Sequence, residues 1–416
     1  MLVHCLAVVC LLWMAVLGGA RLAHAQEWTR FRGPNGTGVS DATTVPTSWT
    51  DADYNWKVTL PGIGHSSPVL WGERILLTSG LDNGARRVVV CLNAADGSTL
   101  WTREYPSQTH TKHLRNSFAS PTPTVDSRMV YVAWSTPESY TLRALDHDGN
   151  DIWSVDLGPY VSQHSCGPSP IIYEDMVVLG NDQDGESSLW AVDCLTGSLR
   201  WQTPRKTERV AYSTPCVRAG AAGKPELIFL SGGHGVSAID PATGKTNWEL
   251  AVFDKRTVSS PVLAGGLIMG TCGSGAGGNY VAAVRPPDGG DSATPELVYK
   301  IDKSAPYVPT PVAKGDLVFL WSDQGVATCI RAASGEVVWR ERVGGNFSGS
   351  PVIVSDHIYC ISDDGEVVVL AAAPEYSLVS RQPLGEECRS VPAVAAGVMY
   401  LRTCSHLFSL GGERPR

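Results

Sequence analysis

The chain has 416 residues, a net charge of −8, 43% hydrophobic residues and 18% charged residues. That composition excludes a disordered chain, and the lack of any Lys/Arg run excludes nucleic acid as the main partner, because nothing gathers phosphate-neutralising charge into a stripe. The 43 Gly and 27 Pro, with no sustained 3.6-residue apolar period after the first twenty residues, point to short strands and tight turns.

Residues 1–25 read as a secretory signal. Leu2 to Ala20 is almost wholly apolar, and Ala23-His24-Ala25 supplies an A-x-A cleavage site that starts the mature chain at Gln26. The residues before the apolar run include His4 and no Lys or Arg, so the rival reading is an uncleaved N-terminal membrane anchor. Cleavage predicts an exported chain, periplasmic or extracellular, soluble and monomeric. Of 11 cysteines, Cys5 and Cys10 fall in this segment. The others include no C-x-x-C and no adjacent pair, which excludes zinc ribbons, thioredoxin-like motifs and c-type haem attachment. Residues 26–54 form a lead-in, and no metal site is predicted.

From residue 55 to 412 the chain repeats a unit of about fifty residues. Seven copies open on Ser-Pro or Thr-Pro, at Ser67, Ser120, Ser169, Thr214, Ser260, Thr310 and Ser350, while the eighth, Val391-Pro392, keeps only the proline. Three short strands follow each opening, then a turn such as Asp240-Pro-Ala-Thr-Gly244. Four residues after the Gly stands Trp101, Trp153, Trp201, Trp248 or Trp339, with Tyr299 in the fifth copy and Ser380 in the seventh. A small four-stranded sheet cannot bury both faces alone, and stacking such sheets around an axis gives each face a neighbour. The tryptophan is a large flat surface placed to wedge between neighbours. The last copy stops after three strands, and the segment around Asn55-Trp56-Lys57 matches the missing fourth. The pattern therefore predicts an all-β, eight-bladed propeller whose last blade is completed by an N-terminal strand carrying Trp56.

Loops before each inner strand, and turns between second and third strands, should line one mouth of the channel. The first set offers His65, Asn116, His164, Arg209, Tyr212, Arg256 and Arg389, and the second Asp182 and Asp323. Such convergence suits a polar ligand or peptide, although Asp also serves as a plain turn former. The insert Ser107 to Asn116 holds His110 and His113 without a carboxylate or cysteine and reads as a loop over the channel. The run Cys272 to Gly278 has no helix or Lys after it and reads as a flexible hairpin tip. Cys388 and Cys404 fall nearly opposite on one hairpin of the closing blade, which predicts a disulfide.

The string A-x-D-x-x-T-G-x-x-x-W at Ala238 to Trp248 resembles the tryptophan-docking repeat of the pyrroloquinoline-quinone (PQQ) propellers. That superfamily includes quinoprotein alcohol dehydrogenases and BamB, the outer-membrane-assembly propeller. The resemblance spans residues 55–410, and the opening Trp28 to Gly38 also looks like the lead-in of secreted PQQ-binding-like repeat proteins. It implies two different roles. A dehydrogenase would hold PQQ beside Ca²⁺ on the axis, with a ring of two adjacent cysteines that this chain lacks. At about 49 residues per blade there is also no room for the insertions that wall such a site. The primary expectation is a non-catalytic envelope scaffold that binds a protein, a peptide or a small polar ligand at the channel mouth, with no cofactor. The alternatives are a small PQQ-dependent oxidoreductase and a carbohydrate-binding propeller. Cys10 follows Val8-Val9, which is not a lipid-attachment sequence, so a lipid anchor is not implied.

Overall fold

The computed structural model describes residues 28–207, 209–287 and 294–413. The secretory segment expected over residues 1–25 lies outside them. Eight twisted antiparallel sheets stand around one axis. Blade 1 is Val69–Trp71, Arg74–Leu81, Arg86–Asn93 and Thr99–Pro106, counted from the axis outward. Blades 2 to 7 open on inner strands Thr124–Val125, Ile171–Tyr173, Cys216–Ala219, Val262–Ala264, Val312–Lys314 and Val352–Val354. Blade 8 contributes Ala393–Ala395, Val398–Arg402 and His406–Gly411, and its outer strand is Tyr54–Thr59, paired Trp56 with Ser409 and Thr59 with His406. The ring closes as the split repeat predicts.

Stacking explains the residue choice. Second strands such as Met129–Ser135 and Leu317–Trp321 are buried at every position, because both of their faces meet another blade. Alternate residues serve opposite neighbours: Ile75 and Leu77 pack in the cluster shared with blade 8, while Leu76 packs with Val130 and Val132 of blade 2. Each fully buried aliphatic side chain contributes about 1.5–3 kcal/mol.

Two devices recur between neighbouring blades. The first is the docking tryptophan. The indole N–H groups of Trp56, Trp101, Trp153, Trp201 and Trp339 donate to Ala94, His147, Cys194, Pro241 and Ala373 in the following blade, at 2.8–3.1 Å. Tyr299 does the same through its hydroxyl, 2.6 Å from the Ala332 carbonyl. Beneath Trp201 lies Gly244 at φ +71°, where a Cβ would meet the ring at 2.7 Å, so both the turn and the stacking demand glycine. Trp248 is a correction to the expected series: its N–H donates to Glu226 of its own blade at 3.2 Å.

The second device is a belt of hydroxyls at the blade openings. The side chains of Thr122, Ser169, Thr214, Ser260, Thr310 and Ser350 each accept the N–H of the equivalent residue in the preceding blade, and Ser67 accepts from Val391, all at 2.9–3.2 Å. Blade 2 therefore opens at Thr122-Pro123, two residues later than the Ser120-Pro121 assigned from sequence. Ser120 spends its hydroxyl in the preceding turn, on Asn116 and Ser117.

The nine cysteines of the described residues are all free thiols. The expected Cys388–Cys404 bond is not formed: the hairpin ladder ends at Ala393 opposite Tyr400, and the Cys388 thiol turns to the Arg402 carbonyl at 2.9 Å.

Candidate functional site

The channel is not open from end to end. Residues 28–40 thread through the ring and bond to the inner strands of five blades. The carbonyls of Trp28 and Thr29 accept from Leu70 and Val125 of blades 1 and 2, at 2.8 and 2.9 Å. Arg30 donates to Pro215 and Asn35 exchanges two bonds with Val217, both at blade 4. Arg32 donates to Thr310 and Pro311 of blade 6 and to Pro351 of blade 7, at 2.9–3.2 Å. Val39–Ser40 then runs parallel to Ile353–Val354. Arg30 and Arg32 are buried, and among the described residues neither meets a carboxylate. Burial pulls their pKa values down to about 10 and about 9, which leaves both charged at neutral pH. Phe31 faces the other way and floors a funnel of about 790 Å³.

Seven of the nine expected ligand-binding residues reach the funnel. His65, Asn116, His164, Tyr212, Arg256, Asp323 and Arg389 all line it. His164 is the centre of a cluster drawn from four loops. Asn116 donates to its carbonyl, Arg256 Nη1 lies 2.8 Å from its Nε2, the His113 ring sits 4.5 Å away, and the Tyr212 ring meets it edge-on at 6.1 Å. Because a guanidinium only donates, Nε2 is the accepting nitrogen and Nδ1 carries the proton. Burial, then Arg256 and His113, push the His164 pKa down to about 4. Elsewhere on the wall burial, then Arg389, Arg402 and Lys112, hold His65 at about 3. The Asp323 carboxylate accepts the N–H groups of Tyr307 and Val308 at 2.7 and 3.1 Å, yet burial outweighs them and raises its pKa.

Two expected residues stand elsewhere. Asp182 is buried in an ion pair with Arg205 of its own blade at 3.1 Å, and Arg205 reaches on to Ser231 and Ser237 of the fourth. Arg209 lines a separate cleft of about 590 Å³ with Lys206, Asp254 and Lys255. Sequence reasoning also missed parts of the wall: Phe31, Asp302 and the turn Ser274–Asn279. The last was within reach, since it occupies the same second-to-third-strand position in blade 5 that Asp323 occupies in blade 6. His110 and His113 do not face one ligand: His110 Nε2 reaches Ser165 at 3.2 Å, while His113 stacks on His164.

The donor set does not suit PQQ with Ca²⁺. A calcium ion wants six to eight oxygens, and the carboxylates of the lining are Asp302 and Asp323, the second already holding two backbone N–H groups. What the funnel offers is donors and cations: Arg115, Arg256, Arg389 and three histidines.

Comparison with known proteins agrees with this architecture. The structure of BamB from Moraxella catarrhalis superposes with a TM-score of 0.59 at 16% identity, covering 85% of this chain and 98% of that one. Quinohemoprotein alcohol dehydrogenase from Comamonas testosteroni gives 0.60 at 13% identity, over 95% of this chain and 82% of that one. At these identities the likeness shows the fold alone. Among curated proteins, tetrathionate hydrolase of Acidithiobacillus ferrooxidans is 25% identical over 226 residues, 51% of this chain and 42% of that protein, so the match spans under half of the relative's length. Among the described residues no helix is long and apolar enough to cross a membrane. A family model described as outer membrane protein assembly factor BamB matches residues 41–271 and 277–374, and the chain belongs to that PQQ-like propeller family.

Proposed function

We propose that this protein is an exported, non-catalytic propeller of the cell envelope that works by binding, and that its binding site is the floored axial funnel. The observation that supports this most is the convergence of His65, Asn116, His164, Arg256 and Arg389 from loops of five blades onto one cavity of about 790 Å³, a size suited to a small ligand. Membership of a family described as an outer-membrane assembly factor supports the envelope setting and leaves room for a protein partner on the rim. The secretory reading of residues 1–25 accords with it. Asp323, the buried acid of the wall, spends its oxygens on the Tyr307 and Val308 N–H groups, which holds it back from general acid–base work.

Thermal-shift measurements with a panel of sugars, short peptides and small acids test the reading. At least one probe should raise the melting temperature of the wild type and not of a folded His65→Ala/Arg256→Ala variant. A panel that never shifts the wild type, or a quinone absorbance change with dye-linked alcohol oxidation after adding PQQ and Ca²⁺, would overturn it.

A further inference from the structure

Three guanidiniums reach the funnel from three different places on the ring: Arg115 from the loop before blade 2, Arg256 before blade 5 and Arg389 before blade 8. They are spaced around the axis, not gathered on one side. Each has hydrogen-bonding capacity to spare. Arg115 is exposed and makes no ion pair among the described residues. The buried Nε atoms of Arg256 and Arg389 find no partner there. Arg389 shares one Nη with Glu387 at 3.2 Å, but that carboxylate is 65% exposed to water. His65, His113 and His164 stand between the arginines. Opposing them are Asp302, on the exposed rim, and Asp323, whose oxygens are taken by the Tyr307 and Val308 N–H groups. Under the floor, Arg30 and Arg32 add two charges held only by carbonyls.

In a chain of net charge −8, this is a local inversion of sign inside a cavity with low-dielectric walls, the arrangement that concentrates a counter-ion. Guanidiniums are suited to oxygen-rich acidic groups because they donate in pairs from a flat fork.

We infer that the funnel is a receptor for a small multivalent anion, a molecule with two or more carboxylate or phosphoryl groups directed outward to Arg115, Arg256 and Arg389. This rests on the binding reading above and names its ligand class. The floor set by residues 28–40 makes the site blind, which favours a compact molecule over a threaded polymer.

Isothermal titration of the mature chain with citrate, pyrophosphate and, as a neutral probe, maltose tests the inference. One of the two anions should bind at one per chain, at least tenfold more weakly in 0.5 M NaCl, as screening of a charged ligand requires. Arg256→Gln/Arg389→Gln should weaken it by about tenfold or more, as the loss of charge-assisted bonds does. Arg331→Gln, whose partner Asp316 lies on the outer surface, should bind like wild type. Circular dichroism and the melting temperature of each variant establish that it is folded. If the double variant misfolds, the salt dependence of the wild type decides. Binding that ignores salt, or survives in a folded double variant, overturns the inference. Maltose binding without anion binding removes the anion assignment and keeps the binding reading, and binding of no probe removes both.

Discussion

His65 and His164 are where the funnel's charge is felt most strongly by single residues. Burial and the neighbouring arginines keep both neutral in the folded chain, down to about pH 3 and about pH 4. An unfolded histidine takes up its proton near pH 6.5. Between these values the unfolded chain binds more protons than the folded one, so stability is full above pH 6.5 and falls as pH drops toward 4. Urea midpoints at pH 7.5 and 5.0 should show that loss, and His65→Gln/His164→Gln should show a smaller one. A midpoint unchanged by acid in the wild type would contradict the account. Glu386 adds to the loss only at lower pH. Burial alone would raise its carboxyl, but Ser405, Thr403 and His406 outweigh that and hold it at about 2. The funnel histidines and arginines were legible in the sequence because turn geometry does not call for such residues before an inner strand. Arg209 shares that placement and Asp182 stands in a turn between second and third strands, but which side of a short loop a side chain takes depends on a partner. Arg205, which claims Asp182, comes from a different strand.

Each blade is joined to the next by the same few contacts, and the exceptions are as informative as the rule. The Gly–Trp spacing was legible because it recurs, as was the replacement by Tyr299. The hydroxyl belt was visible only as a signature, Ser-Pro or Thr-Pro, with no sign of what the hydroxyl meets. That is why blade 2 was placed at Ser120 in preference to Thr122: both precede proline, and only the bond from Ser67 separates them. Val391 is the one opening without a hydroxyl, so the belt breaks between blades 7 and 8, where the Ser350 N–H would look for its acceptor. Val391→Thr, nearly the same shape, should supply it and add about 0.5–1 kcal/mol of stability, the net worth of one hydrogen bond. Denaturant unfolding measures this. A loss of more than about 1 kcal/mol would mean that the new hydroxyl is buried without a partner and that the belt has no vacancy there.

At the scale of the whole molecule the chain closes on itself twice. The strand Tyr54–Thr59 completes blade 8, and this was legible because a three-stranded last copy and an orphan fourth strand can only be reconciled by a ring. The second closure, the passage of residues 28–40 through the axis, was not legible. Its contacts are backbone amides and carbonyls of distant blades, and Trp28-Thr29-Arg30-Phe31-Arg32 has no repeat partner to reveal them. The same passage makes the funnel blind, places Phe31 at its base and puts two uncompensated arginines beneath it. The binding reading and the anion inference both depend on it. Native-state hydrogen exchange reads it directly at Leu70, Val125 and Ile353, whose amides donate to Trp28, Thr29 and Gly38. The account predicts that these three exchange only with global unfolding, as slowly as the central strands. Rapid exchange at all three, with the second strands still protected, would show that residues 28–40 do not occupy the axis.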